Sequence, residues 1–188
     1  VSASTATGLN GKDGLTVKEG ATTDKVLLAY NNGTDSLLSD EQARKAFRYQ
    51  IDAAGIASAQ PDAAGALGGP ISPLEPGYED LTGLYPHDEN QAGQMFSYFG
   101  AQYLTTVNLV VPEEYRSLAE TIKQQIERQP RPTVNLEVLS DEDYAKRIKD
   151  GKWELTVMSM DGTDDAGIFA DPDSMFHYDH TEAQQAYA

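Results

Sequence analysis

"TVNLEVLSDEDYAKRIKDGKWELTVMSM", residues 133–160, decides the fold. "TVNLEVL" (133–139) reads as a strand, and "SDEDYAKRIKDG" (140–151) as a short capped helix with its basic residues late, where the helix dipole favours them. "WELTVMSM" (153–160) is a second strand. Upstream, "LTTVNLVV" (104–111) is a strand. "PEEYRSLAETIKQQIERQ" (112–129) is a helix that turns Tyr115, Leu118, Ala119, Ile122 and Ile126 inward, with Pro112 near its first turn and Glu113 and Glu114 at its positive end. Strand–helix–strand–helix–strand with short connections implies right-handed crossovers and parallel pairing. The fold class expected is α/β, a mostly parallel sheet flanked by helices.

Working outward, "KVLLAYNN" (25–32) is a buried strand that ends in an Asn-Asn-Gly turn. "SDEQARKAFRYQIDAAG" (39–55) follows as one helix, with Ser39 and Gln42 as a capping box, Ala43, Ala46, Phe47, Ile51 and Ala54 on one face, and Gly55 closing it. Residues 56–87 are Pro- and Gly-rich and hold no run long enough for an element. They retain Leu67, Ile71, Leu74, Leu81, Leu84 and Tyr85, so they read as a loop wrapped on the domain. In "HDENQAGQMFSYFG" (87–100) helical spacing returns: Asp88 caps, and Ala92, Met95, Phe96 and Phe99 form the buried stripe. Residues 1–24 show no periodicity and are expected to be a linker or hinge approach, leaving 25–188 as a ligand-binding lobe cut from a longer protein.

Composition narrows the function. With 188 residues and 39% hydrophobic content, one real core is within reach. A net charge of −16 with no compensating basic stripe argues against nucleic acid and anionic membranes as partners. Absence of cysteine removes thiolate catalysis and Cys-based zinc sites. No apolar run approaches the roughly 18–20 residues of a membrane span.

Beyond Met160 the apolar strand gives way to a loop holding Asp161, Asp164, Asp165, Asp171 and Asp173. In an open parallel sheet, ligands sit beyond the carboxyl ends of the strands, which is where this loop falls. The candidate ligand-binding residues are therefore Met160, Asp161, Gly162, Thr163, Asp164 and Asp165, with Tyr30 and Asn31 nearer a hinge. Calcium is a weaker reading, because the spacing is not that of an EF-hand and no Glu closes it. His177 and His180 in "HYDH" share a face if helical, but no third converging ligand is identifiable. No metal or other cofactor is expected. Nor is enzymatic activity, since neither a G-x-S-x-G elbow nor a recognisable nucleophile or base is present. Trp153 reads as core cover and Arg44 as a tie from its helix to neighbouring loops.

The order of these segments resembles the family 5 extracellular solute-binding proteins, which serve ABC importers of peptides and nickel. "DEQARKAFRYQID" (40–52) carries Arg44, Ala46, Ile51 and Asp52 as that family's helix does. "GGPISP" (68–73), "HDENQAGQMFSYFG", "YRSLAETIKQQIE", residues 134–160 and "DPDSMF" (171–176) are similar to its later segments, in the same order. The resemblance covers about residues 25–178. Gln129-Pro-Arg-Pro replaces a usual Gly-Ile turn, and Ile168 stands where peptide binders of the family often place an Asp for the ligand's amino terminus. The resemblance implies one lobe of a bilobed, periplasmic-binding-protein-like fold, a small solute with a peptide favoured, an ABC permease as partner, and a second lobe of the same polypeptide. It also implies an extracytoplasmic location, as a surface lipoprotein or in the periplasm. Two rivals stay open: a sensory or protein-interaction module on the same fold, and an acid/base hydrolase using the carboxylates of 161–173.

Overall fold

Four strands make one sheet in the order β1-β4-β2-β3. In chain order the elements of the computed structural model are α1 (Ala3–Leu9), β1 (Lys25–Tyr30), α2 (Glu41–Gln50), α3 (Ala53–Ala59), α4 (Glu89–Tyr98) and β2 (Thr106–Pro112). They continue with α5 (Arg116–Ile126), β3 (Thr133–Leu139), α6 (Asp141–Lys149), β4 (Leu155–Met160), α7 (Ala166–Ala170) and α8 (Thr181–Tyr187). The structure describes residues 3–12, 14–18, 20–98, 101–162 and 165–188. β2 pairs parallel with β3 and with β4, whereas β1 runs antiparallel to β4. The fold is therefore the expected α/β class with a mostly parallel sheet.

Alternation along the strands builds two cores. Val107, Leu109 and Val111 of β2, with Leu155 and Val157 of β4, face a large core filled by Phe47 of α2, Phe96 of α4, and Ile122 and Ile126 of α5. Phe47 and Phe96 meet edge to face at 5.2 Å. Burying each of these large side chains stabilises the fold by about 1.5–3 kcal/mol. Ala29 and Val110 point the other way, to a smaller core with Trp153 and Phe176, flanked by Tyr144 and Ile148 of α6. Trp153 is the core residue its position predicted, 4% exposed. With both faces covered, only the strand ends and borders remain for function.

Local chemistry sets the boundaries, and several differ from the sequence reading. α2 is capped by Asp40, whose carboxylate accepts from the Gln42 amide at 2.7 Å, while Ser39 belongs to the preceding 3-10 turn. It stops at Gln50, because Ile51 is extended and Asp52 opens a new helix by accepting from the Gly55 amide. Gly55 thus lies inside α3 instead of closing α2. α5 begins at Arg116 behind a 3-10 turn at Glu113–Tyr115, later than the 112 start expected. α6 matches its prediction: Ser140 caps it, and Gly151 ends it at φ +65°, a left-handed conformation that favours glycine. α1 forms where a structureless stretch was expected. The 56–87 segment is irregular beyond α3 and wraps the domain: Arg48 donates to the Gly68 carbonyl at 2.8 Å.

Candidate functional site

Register places the two groups of candidate residues at opposite ends of the sheet. Lys25 pairs with Met160 and Tyr30 with Leu155. The start of β1 therefore lies beside the carboxyl end of β4, and Tyr30 and Asn31 lie beside the end where β4 begins. Met160, Asp161, Gly162 and Asp165 come together; Tyr30 and Asn31 do not join them. Thr163 and Asp164 lie outside the described residues.

At the carboxyl end of β4 the loop is fastened by charge. Asp165 is buried, and its carboxylate meets Lys25 Nζ at 2.9 Å. The same ammonium contacts Glu75 Oε2, and the three side chains are 0–6% exposed. Glu75 also accepts from the Ser72 amide at 2.7 Å, so the wrapping segment is tied in as well. Burial pushes the Glu75 carboxyl upward, but hydrogen bonds from Lys25 and Ser72 outweigh it and hold the group below its ordinary value. For Lys25, burial disfavours the charge, yet Glu75 and Asp165 prevail and hold the ammonium above the usual lysine value. Two carboxylates share one cation, so the cluster keeps an excess of negative charge away from water.

Gly162 permits this arrangement. A Cβ there would fall 2.1 Å from Asp165 Oδ1, far inside van der Waals contact. Asp161 is exposed, and its carbonyl accepts from Thr23 Oγ1 at 3.2 Å. The exposed Asp161 carboxylate thus belongs to a loop held by Thr23 in the chain entering β1 and by Lys25 at the head of β1, and the wrapping segment is tied to that same lysine. Acids also follow the other parallel strands, Glu113 and Glu114 after β2 and Asp141, Glu142 and Asp143 after β3.

At the far end Asn31 is consumed by the fold. Its side-chain amide donates to the Gly151 and Trp153 carbonyls at 3.1 and 2.9 Å, and its oxygen accepts from the Gly33 amide at 3.0 Å. Tyr30 lies against Phe47 at 6.3 Å; although the residue keeps partial exposure, burial of the phenol pushes its pKa up to about 12, against the pull of Arg48 and Arg44. Arg44 donates to the Leu38 and Ser39 carbonyls at 2.7 and 2.8 Å, the tie expected of it. His177 and His180 precede α8, so no helix aligns them. His180 stacks on Tyr178 at 5.6 Å. Among the described residues, no group of three or more His, Asp and Glu side chains forms an arrangement able to hold a metal.

Lys25 and Glu75 are the residues sequence reasoning missed at this site. A lone lysine opening the apolar run "KVLLAY" was the available signal, since a charge on an inward strand position needs a partner.

No family model matches the chain, and no curated protein does. Solved structures do. The oligopeptide-binding protein AppA of Bacillus subtilis, in complex with a nonapeptide, superposes with a TM-score of 0.77 at 17% identity, over 98% of this chain and 42% of that one. The periplasmic murein tripeptide-binding protein MppA, in an unliganded open form, gives 0.79 at 13% identity, over 98% and 40%. NikA of Staphylococcus aureus, in complex with Ni(L-His)2, gives 0.71 at 18% identity, over 95% and 40%. The chain spans about two-fifths of the length of each. Among the described residues no helix is long and apolar enough to cross a membrane. At these identities what is shared is architecture: the chain has the fold of part of the peptide- and nickel-binding solute-binding proteins.

Proposed function

We propose that the chain is one lobe of an extracytoplasmic substrate-binding protein of an ABC importer, which captures a small solute, a peptide by preference, without catalysis. The observation that supports this most is the superposition of nearly the whole chain on two-fifths of longer proteins whose bound molecules are a nonapeptide in one case and a nickel complex in another. The solute lies between this lobe and a second one, touching the loop from Met160 to Asp165 on this side. Contacts to both lobes are complete only when the hinge closes, so the solute shifts the population to the closed form. That closed form is what the membrane permease recognises.

The site's construction supports the reading. A loop that must present the same surface each time the lobes meet gains from being fixed, and the Lys25 cluster fixes it without using Asp161. Asp165, by contrast, is committed to Lys25, which removes it from the carboxylates an acid/base mechanism would need free.

A thermal-shift screen of the full-length protein against peptides and metal chelates tests the proposal. A true solute at a hundredfold excess over its Kd stabilises by about 2.7 kcal/mol and raises Tm accordingly. A screen in which no peptide or chelate shifts Tm, while a protein partner binds this lobe directly, overturns it.

A further inference from the structure

The end of the sheet opposite the Met160–Asp165 loop carries two hollows that meet. One, of about 720 Å3, is walled by Asn32, Arg44, Tyr178 and His180; the other, of about 560 Å3, by Arg147, Trp153 and Glu154. Both volumes fall within the span of small-molecule sites, about 300–1,000 Å3. Gly33, Thr34 and His177 line both hollows.

His177 is held there in an unfavourable conformation. Among the described residues it is the only non-glycine with a positive φ, at 50°. A left-handed backbone is costly for a residue with a Cβ, and it persists where the surroundings impose it, often at ligand clamps. The Phe176 carbonyl accepts from the Asn32 backbone and side-chain amides at 2.8 and 2.9 Å, and the His177 amide donates to the Ser174 carbonyl at 3.0 Å. The imidazole fits between Gly33 and Gly151, where added Cβ atoms would stand 3.8 and 3.9 Å from it.

Hydrogen bonding is left incomplete on both sides of this ring. Asn32 spends its side-chain nitrogen on the Tyr30 and Phe176 carbonyls, and its Oδ1 is buried with no partner among the described residues. Trp153, in the other hollow, is 4% exposed, and its indole N–H has no acceptor among them either. Folded proteins rarely leave such buried groups unmatched without a reason. Most charges, by contrast, are already matched. Arg147 pairs with Glu137 at 3.0 Å, Lys152 with Asp150 at 3.7 Å and Glu41 with Lys45 at 2.6 Å. Glu154 accepts from the Asn108 backbone and side-chain amides at 2.7 and 3.1 Å, and Arg44 is engaged with two carbonyls.

We propose that the joined hollows are a second binding site, apart from the solute loop, for a neutral polyhydroxylated ligand of the saccharide class. A hydroxyl both donates and accepts, so one kind of ligand group satisfies Asn32 Oδ1 and the Trp153 N–H alike. A charged ligand would have to displace ion pairs already formed. His177 walls both hollows, and turning its ring aside admits hydroxyls to the two orphan atoms, which are otherwise closed to water. Tyr178 and His180, stacked with their rings 3° from parallel, supply the aromatic face that small-molecule sites combine with a few placed polar groups.

Calorimetric titration of the full-length protein with three neutral disaccharides, maltose, lactose and N,N′-diacetylchitobiose, tests this. At least one is expected to bind, with the same affinity whether or not the best-binding peptide is present. Trp153→Phe keeps an aromatic ring without the N–H, and His177→Gly removes the imidazole while accepting the left-handed backbone. Each is expected to weaken the sugar by about fivefold or more and to leave peptide affinity unchanged. If Trp153→Phe does not fold, His177→Gly decides alone. No binding of any of the three at tens of millimolar overturns the proposal, as does unchanged sugar affinity in either folded variant. Competition between sugar and peptide also overturns it, because the site is then the solute loop. Peptide binding is scored by its own titration, so either site can fail while the other stands.

Discussion

Lys25 Nζ and Asp165 Oδ2 lie 2.9 Å apart with their side chains 0 and 6% exposed, and this contact joins the first residue of β1 to the loop after β4. The pair sits where the antiparallel register brings Lys25 beside Met160. Glu75 completes it from the wrapping segment. Three stretches far apart in sequence are thereby fixed to one another at the end of the sheet that the solute is proposed to meet.

Lys25→Met leaves two buried carboxylates without a cation. Breaking a buried ion cluster from one side costs about 3–5 kcal/mol, and urea denaturation is expected to show a loss of that size. The triple change Lys25→Met, Glu75→Gln and Asp165→Asn is expected to recover much of it, since no uncompensated charge then remains. A single Lys25→Met variant as stable as the parent contradicts the account of this cluster.

The same cluster sets a pH dependence. Glu75 is held below its ordinary value of 4.5 in the folded chain, so its contribution is present above that pH and is lost as pH falls through the lower folded value. Lys25 is held above its ordinary value of 10.5, so its contribution is present below that pH and is lost as pH rises through the higher folded value. Unfolding free energy measured against pH is expected to decline on both sides, and Glu75→Gln is expected to flatten the acid side. An unchanged acid limb in that variant would show that other carboxylates govern it.

Two glycines are held by close approach. A Cβ at Gly162 would stand 2.1 Å from Asp165 Oδ1, and one at Gly68 would stand 2.1 Å from the Leu81 backbone carbon. Each Gly→Ala change is expected to destabilise by about 1–3 kcal/mol through overpacking. Gly162→Ala is also expected to speed amide exchange around Asp165, and Gly68→Ala to do so around Leu81. Melting curves that superpose on the parent would contradict the geometry.

How far the sequence carried depended on the range of the interactions involved. β3 at Thr133–Leu139 and α6 behind Ser140 follow from neighbours in sequence, and both were legible from alternation and capping. The break between α2 and α3 was not. The apolar face runs on through Ile51 and Ala54, and it is Asp52 taking the Gly55 amide that starts a new helix. The candidate loop was legible as the segment after β4, yet what holds it was hidden, because Lys25, Glu75 and Asp165 meet only once the sheet has formed. The same holds for Asn31, whose partners Gly151 and Trp153 lie across β1 and β4.

Calorimetric titration of the full-length protein with its best-binding peptide, before and after Asp161→Ala, tests most directly whether the loop beyond Met160 meets the solute. Asp161 is exposed and contributes only its carbonyl to the Thr23 contact, so the fold is expected to stand without its side chain. Lys152→Ala, a 74% exposed side chain at the opposite end of the sheet, serves as the control. The account predicts at least about a tenfold loss of affinity, near 1.4 kcal/mol, for Asp161→Ala and none for Lys152→Ala. Equal affinity in the parent and Asp161→Ala proteins, or a loss confined to Lys152→Ala, contradicts it.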